Sequence, residues 1–120
     1  MIKKTIKYKD YDGNEREEDF YFNINKAEAI ELQAKVGGGL DQFIRRIVSE
    51  RNAEKLVSFF KELIIMSYGQ KSFDGRRFEK SDEITNNFIQ TEAYPTLFME
   101  LASDADKAAE FVNGIIPHED

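Results

Sequence analysis

Residues 54–68, with the sequence EKLVSFFKELIIMSY, decide the fold of this chain. Nine of the last thirteen residues are apolar, whereas a strand usually holds only about 5–6 residues. A charged pair, Lys61 and Glu62, stands in the middle of the run and favours a helix. This helix would carry one narrow polar stripe, formed by Glu54, Ser58, Lys61 and Glu62. Because it is apolar elsewhere, yet shorter than the roughly 20 residues that span a bilayer, we predict the central helix of a soluble domain.

Ile65 interrupts this polar stripe, because it follows Ser58 by seven residues and therefore lies about 20° from it around the helix. Two interpretations are open at this point. Either a loop or the terminal hairpin covers Ile65 within the same chain, or Ile65 belongs to an interface with another chain. We take Ile65 as the candidate partner-binding residue.

The composition restricts the classes of function. A chain of 120 residues forms one domain by the usual size of domains, and ten Phe and five Tyr supply bulky core side chains. The sequence has no Cys, which excludes disulfides and cysteine-ligated metal sites. The net charge of −6, with interspersed signs, argues against non-specific binding to nucleic acid or an anionic membrane. The first residues lack a continuous apolar run, so we expect no signal peptide.

Residues 2–24 predict a β-hairpin, because apolar and polar residues alternate along both arms and a Gly lies between them. Two registers compete. A two-residue loop would place Ile6 opposite Asp19, whereas a three-residue loop at residues 12–14 places Ile6 opposite Phe20. The second register also sets lysines against acidic residues on the other face, so we expect the three-residue loop.

Asp10, Asp12 and Asn14 have the alternating spacing of a calcium-binding loop. In an EF-hand loop, however, the Gly follows the third ligand, whereas Gly13 precedes Asn14 here. The twelfth position is Tyr21, where an EF-hand has Glu. We therefore interpret these residues as the hairpin turn.

A first helix is expected at residues 26–35. Asn25 is its N-cap, and Glu28 is the returning half of a capping box. Its apolar residues lie on one side of the helix, with Leu32 off that line; they are Ala27, Ile30 and Ala34.

Three consecutive glycines end this helix: Gly37, Gly38 and Gly39. They carry a large backbone entropy, so we predict the hinge of the chain here. A phosphate-binding loop would need a preceding strand and a following Lys–Ser/Thr pair, and the sequence provides neither. The glycines are therefore interpreted as a linker between helices.

Residues 40–50 predict an amphipathic helix, since their apolar residues follow helical spacing without interruption. Arg45 and Arg46 lie on its polar side, and in an acidic protein we expect them to form salt bridges instead of binding phosphate. Asn52 is the expected N-cap of the central helix, and Gly69 is its expected C′ residue.

The last third of the chain begins with a turn signal, Asp74-Gly75, which indicates a short hairpin or an ordered loop between residues 70 and 80. A helix is expected after Ser81, and a further one at residues 95–102. Asp104 should cap a last short helix that ends at Gly114.

These elements predict a mostly α fold, in which an N-terminal β-hairpin packs on a bundle of about five or six helices. We expect residues 1–116 to form a single domain, with the hairpin at 2–24 and the helical bundle at 26–116. Residues 117–120 are expected to form a disordered tail.

The sequence offers little catalytic chemistry. Its one His is His118, in the predicted tail, so a Ser–His–Asp arrangement is not expected. The grouped carboxylates lie on predicted solvent-facing strands or helix caps, where a solvated charge is the ordinary interpretation; they are Glu17, Glu18, Asp19, Asp82 and Glu83. We therefore predict no enzyme activity, no metal site and no cofactor. The sequence also lacks the stripe of aromatic and basic residues that would suggest RNA or single-stranded DNA.

Four stretches resemble small proteins of the tail gene modules of phages and prophages of Gram-positive bacteria. They are KKTIKYKDYDGNEREEDFYFNINKAE, GGGLDQFIRRIV, YGQKSFDGRRFEKSDE and QTEAYPTLFMELASDADKAAEFVNGIIP. The family is that of the tail assembly chaperones of long-tailed phages. The resemblance implies a mostly helical, non-catalytic protein in the cytoplasm of the bacterial host. It also implies binding to the tape measure protein, and assistance to the tail tube protein as the tube polymerises around it.

A structural virion protein, such as a tail tube or head–tail connector subunit, is the alternative, and its hairpin would add to a neighbour's sheet. A tube subunit would be rich in strands, and the helical spacing from residue 40 onward disfavours it. Circular dichroism distinguishes the two classes. The triple glycine, Ile65 and the abundant Phe suit a chaperone for a long helical partner. We expect binding of a tape measure segment, or of other copies of this chain, through apolar surface.

Overall fold

The computed structural model describes residues 1–117, which form four strands and six helices. The predicted class, mostly α with an N-terminal hairpin, is confirmed. The predicted tail falls mainly on residues 118–120, including His118, which lie outside the described residues. The elements are β1 Ile2–Lys9, β2 Glu15–Phe22, α1 Lys26–Val36, α2 Leu40–Glu50, α3 Ala53–Ser67, β3 Tyr68–Lys71, β4 Phe78–Glu79, α4 Asp82–Ile89, α5 Ala93–Ser103 and α6 Ala105–Ile115.

The four strands form one antiparallel sheet in the order β1-β2-β3-β4. The short hairpin predicted between residues 70 and 80 is present as β3 and β4. It joins the N-terminal hairpin through the pairs Tyr21–Gly69 and Phe22–Tyr68. The sheet is thus continued by a strand that follows directly on the central helix.

The predicted register of the N-terminal hairpin is wrong. Ile6 lies opposite Glu18, and Phe20 lies opposite Lys4, so the arms are displaced by two residues from the expected pairing. A shift of two residues keeps every side chain on its predicted face, because strand side chains alternate with a period of two. Ile6 is accordingly buried, and Lys7 still pairs with an acidic residue, Glu17.

Asp10 sets this register. Its carboxylate accepts hydrogen bonds from the backbone N–H groups of Asp12 (3.0 Å) and Asn14 (2.9 Å), and from Arg16 Nε (2.6 Å). The Asp10 N–H donates to the Asn14 carbonyl, so this pair is the last hydrogen-bonded pair of the β1–β2 hairpin before the loop. The loop therefore has three residues, as predicted, but it begins at Tyr11 instead of Asp12. Gly13 at its end has φ +85°, the left-handed geometry typical of a three-residue hairpin loop.

The central helix α3 is confirmed, and its inward face is fully buried. Phe60, Leu63 and Ile64 are each no more than 1 % exposed. One apolar residue of α3 outside the polar stripe, Val57, faces solvent and is 48 % exposed. Most of the other fully buried large side chains come from β2, α2, α5 and α6; they are Phe22, Ile44, Ile47, Leu97, Leu101, Phe111 and Ile115.

Aromatic packing ties the sheet to the helices. The rings of Tyr68 and Phe88 stack with centroids 4.3 Å apart, and Phe22 meets Phe111 edge to face at 5.2 Å. Aromatic pairs of these geometries contribute about 0.5–1.5 kcal/mol beyond the burial of their area. They hold β2 and β3 against α4 and α6.

The predicted N-caps are confirmed, because N-caps are encoded by residues close in sequence. Asn25 and Glu28 form the full capping box of α1. The side chains of Asn52, Ser81 and Asp104 accept the expected backbone N–H bonds at the starts of α3, α4 and α6.

Two glycines predicted to end helices do not form the expected caps. Gly69 directly follows Tyr68, the C-cap of α3, but it lacks the positive φ of a capping glycine. Gly69 lies in β3, where an added Cβ would lie 2.6 Å from the Phe78 ring and 2.9 Å from the Glu79 carbonyl oxygen. Gly114 lies inside α6, where an added Cβ would lie 2.7–2.8 Å from Ile2 side-chain atoms. Both positions need Gly for close packing between elements. Within the described chain, no helix has the length and apolar character needed to cross a membrane.

Candidate protein-interaction surface

An open groove of about 470 Å³ runs between α1, α2 and α3. Its floor is aromatic, since Phe43 of α2 and Phe59 of α3 meet edge to face with centroids 5.0 Å apart. We call this the Phe43/Phe59 groove. The residues that line it are Lys35, Val36, Phe43, Arg46, Ile47, Asn52, Glu54, Lys55, Ser58, Phe59 and Glu62.

The helical repeat explains why two Phe side chains stay half-buried here. On α3, Phe60 is fully buried, and Phe59 lies about 100° away from it around the helix, at the edge of the buried face. On α2, Ile44 and Ile47 are buried, and Phe43 lies beside them at the corresponding edge. Each helix thus presents one aromatic ring to the space between them.

Charged side chains surround this floor. Lys35 of α1 pairs with Glu62 of α3 at 3.0 Å, and both side chains are more than half exposed, at 57 % and 59 %. Arg46 lies over the Phe43 ring, with its guanidinium carbon 5.4 Å from the centroid. Exposed ion pairs contribute only about 0–1 kcal/mol, so the Lys35–Glu62 pair adds little to the free energy that holds α1 against α3.

The triple glycine lies at one end of the groove. It lines a smaller cavity of about 340 Å³, which shares Val36, Phe43 and Arg46 with the groove. Gly37 has φ +69° and caps α1 by donating its N–H to the Gln33 carbonyl. The linker between helices is confirmed, whereas the hinge at Gly37, Gly38 and Gly39 stays a prediction.

Helix α1 is only lightly attached to the rest of the chain. Ala27, Ile30 and Ala34 lie on one side of it, as predicted, but that side faces solvent, and Leu32 is its one buried residue. Ile30 is 71 % exposed, and Ala27 and Ala34 also face solvent. Besides the Lys35 pair, Glu28 is held by Lys80 at 2.9 Å.

Ile65, the predicted partner-binding residue, is half-buried on α3. It lies about one turn beyond Glu62, on the continuation of the ridge that Ser58 and Glu62 form along the groove. Ile65 is not among the residues that line the groove. Its role in an interface stays a prediction.

Two charged groups of the sequence patterns above, Arg45 and Asp10, make structural contacts. Arg45 pairs with Asp41 (3.0 Å) and Asp106 (2.8 Å), as predicted, and these bonds raise its pKa. The bond from Arg16 lowers the pKa of Asp10, whose carboxylate organises the hairpin turn. Among residues 1–117, no group of three or more His, Asp or Glu side chains is placed to hold a metal ion.

Sequence reasoning missed Phe43 and Phe59 as surface residues. Both fit the apolar spacing of their helices, so the sequence indicates only that they turn toward protein. Their exposure depends on how far apart α1, α2 and α3 lie, which is a property of the packed structure.

One comparison with known proteins gives a match. The family model described as "Phage tail assembly chaperone" matches residues 1–119, which include every strand, every helix and the Phe43/Phe59 groove. Searches among curated proteins and among solved structures gave no match.

Proposed function

This chain belongs to the phage tail assembly chaperone family, and we propose that it holds an apolar helical segment of the tape measure protein in the Phe43/Phe59 groove. The observation that carries the proposal is an open, aromatic-floored groove between three helices, next to a linker of three glycines. An amphipathic helix docks in such a groove through apolar residues spaced three or four apart. The long tape measure protein would be kept soluble in this way while the tail tube protein assembles around it.

A groove of about 470 Å³ admits only a few side chains, so full docking of a helix requires α1 to move. Movement would expose Leu32, which costs about 1.5–3 kcal/mol, and would break weak surface ion pairs. Micromolar binding supplies about 8 kcal/mol. Such binding would therefore offset the opening, and the three glycines would let α1 turn without strain in α2.

The remaining parts of the proposal follow from the assembly role. The protein acts without catalysis in the cytoplasm of the bacterial host, where phage tails are assembled. Its partners are the tape measure protein and the tail tube protein. Neither nucleic acid nor a membrane is a partner. The acidic net charge of −6 supports solubility of the complex.

The deciding experiment is co-expression with the tape measure protein from the same gene cluster, followed by pull-down and size-exclusion chromatography. We expect the chaperone to bring the tape measure protein into the soluble fraction and to elute with it. If the tape measure protein stays insoluble and no complex elutes, the chaperone proposal fails. A structural role in the virion, as a tail tube or head–tail connector subunit, would then be the better hypothesis.

A matched pair of variants locates the binding surface. Ser58 is exposed and lines the groove, so Ser58→Arg should obstruct it without disturbing the core. Ser103, at the exposed end of α5, does not line the groove and receives the same substitution as a control. We expect Ser58→Arg to reduce the recovered tape measure protein several-fold and Ser103→Arg to leave it unchanged. Equal recovery with both variants would place the partner on another surface.

A further inference from the structure

The turn between β3 and β4 is rigid although it projects into solvent. Ser72 is 6 % exposed and organises it, donating its hydroxyl to Asp74 Oδ1 (2.7 Å) and accepting the Arg77 N–H (3.0 Å). The Gly75 N–H donates to the Ser72 carbonyl (2.9 Å), and the Arg76 N–H donates to Asp74 (3.0 Å). A turn with so many internal bonds holds the backbone of its remaining residues in a defined conformation.

Phe73 is the side chain that this turn presents. Its exposed fraction is 110 %, so it is as open to water as in an isolated extended chain. Burying a Phe side chain contributes about 1.5–3 kcal/mol, which the fold does not gain at this position. Beside it, the guanidinium group of Arg76 has no hydrogen-bond or ion-pair partner among residues 1–117. We call Phe73 and Arg76 the turn tip.

Helix α1 carries the complementary features on its outer face. Ile30 is 71 % exposed there and lies in line with Ala27 and Ala34, opposite the buried Leu32. Glu31 lies about one turn from both alanines and is exposed. Within the described chain its carboxylate has no hydrogen-bond or ion-pair partner. This outer face is therefore apolar with a free negative charge, whereas the turn tip is apolar with a free positive charge.

We propose that the turn tip of one copy docks on the outer face of α1 of a second copy, with Phe73 against Ile30 and Arg76 paired with Glu31. Aromatic residues, Phe among them, and Arg are enriched in protein interfaces relative to the rest of the surface. The opposite charges favour this partner over a contact between two turn tips or between two α1 faces. Since the two surfaces differ, each copy can give and receive one contact, which produces closed rings or open chains of copies. The contact leaves the Phe43/Phe59 groove free, so the inference does not depend on the proposed tape measure binding.

The test is self-association of the full chain, measured by sedimentation velocity from about 10 μM to about 1 mM, a range suited to a small interface. We expect association that rises with concentration. Phe73→Ser should weaken it about tenfold or more, as for a buried anchor residue. Arg76→Glu and Glu31→Arg should each weaken it about threefold, because each places like charges together at an exposed contact.

Charge exchange makes the test specific. The chain that carries both Arg76→Glu and Glu31→Arg should recover wild-type association, since the pair is restored with reversed signs. An equimolar mixture of the two single variants should also associate, because the turn tip of one then fits α1 of the other. All three side chains are exposed, so circular dichroism and melting temperature should stay at the wild-type values.

Two outcomes would overturn the inference. The wild-type chain could stay monomeric up to about 1 mM, which would put the dissociation constant of any such contact well above that concentration. If a monomeric wild type also captures the tape measure protein in a way that depends on Phe73, the turn tip binds that partner and not a second copy. Alternatively, association could persist unchanged in Phe73→Ser, which would assign it to another surface.

Discussion

Gly69→Ala tests whether the junction of the two hairpins requires a residue without a side chain. The new Cβ would lie 2.6 Å from Phe78 Cε2 and 2.9 Å from the carbonyl oxygen of Glu79. Favourable contacts between carbon atoms are about 3.5–4.0 Å long, so both neighbours must move. The Phe78 ring can rotate away, but the Glu79 oxygen belongs to the backbone of β4. The strand pair β3–β4 must therefore shift or open.

The expected loss of stability is a difference between two effects. Overpacking of this kind costs about 1–3 kcal/mol. Replacing Gly by Ala also restricts the unfolded chain, which favours folding by about 0.4–1 kcal/mol. The net destabilisation should therefore be about 0–2.6 kcal/mol relative to the wild type, and about 1–3 kcal/mol relative to a Gly→Ala control without the overpacking. Each 1 kcal/mol lowers the melting temperature of a domain this size by several degrees.

Urea unfolding followed by circular dichroism measures this loss. Gly38→Ala is the control, because an added Cβ there has no heavy atom within 4 Å. It restricts the unfolded chain in the same way, so it should be as stable as the wild type or more stable by up to about 1 kcal/mol. Adding Phe78→Leu to Gly69→Ala should recover part of the loss but not all of it, since the Glu79 oxygen stays in place. If Gly69→Ala proves as stable as the Gly38→Ala control, the close packing at this junction is refuted.

Four further predictions concern the core, the joint, the candidate interface and the hairpin turn. Phe60→Ala should cost about 3–5 kcal/mol in denaturant titration, because Phe60 is 0 % exposed at the centre of α3; a loss below about 1 kcal/mol would contradict its place in the core. Gly38→Pro should weaken capture of the tape measure protein more than it lowers the melting temperature, since Pro stiffens the joint, and the reverse order would speak against a hinge. Ile65→Lys should reduce partner binding or self-association at unchanged helix content; unchanged binding in the pull-down would remove Ile65 from the interface. The bond from Arg16 lowers the pKa of Asp10 below its ordinary value of 3.8, so this carboxylate stabilises the fold above that pH and loses its effect as the pH falls through its folded pKa. In Asp10→Asn, the urea midpoint of unfolding should therefore decrease less than in the wild type as the pH is lowered. An equally large decrease in both proteins would count against this account.

The sequence by itself determined the helices and the side-chain caps at their N-termini. The bounds 40–50 predicted for α2 are those of the structure, and the capping box of Asn25 and Glu28 forms as expected. Helical spacing and caps depend on residues within about four positions of each other, so a local pattern carries the whole signal. The sequence also determined which hairpin residues face the core, since that follows from alternation along a strand.

The sequence alone did not determine the register of the hairpin. Both registers considered treated the loop as starting at Asp12, whereas the bonds made by the Asp10 carboxylate start it at Tyr11. Asp and Asn occur on both sides of Gly13, so several loops satisfy the same turn chemistry. The bond between Asp10 and Arg16 across the arms selects one of them.

The tertiary structure alone decided how the elements meet. The face of α1 that packs was chosen by the burial of Leu32, although Ala27, Ile30 and Ala34 give the stronger local pattern. The close approaches at Gly69 and Gly114, the joining of the two hairpins and the Phe43/Phe59 groove all bring together residues that are distant in the chain. The local sequence shows whether a side chain is apolar and on which face of its helix or strand it lies. The local pattern does not show which distant element packs against that face, nor how completely that element buries the side chain. Both depend on the packing of the whole fold.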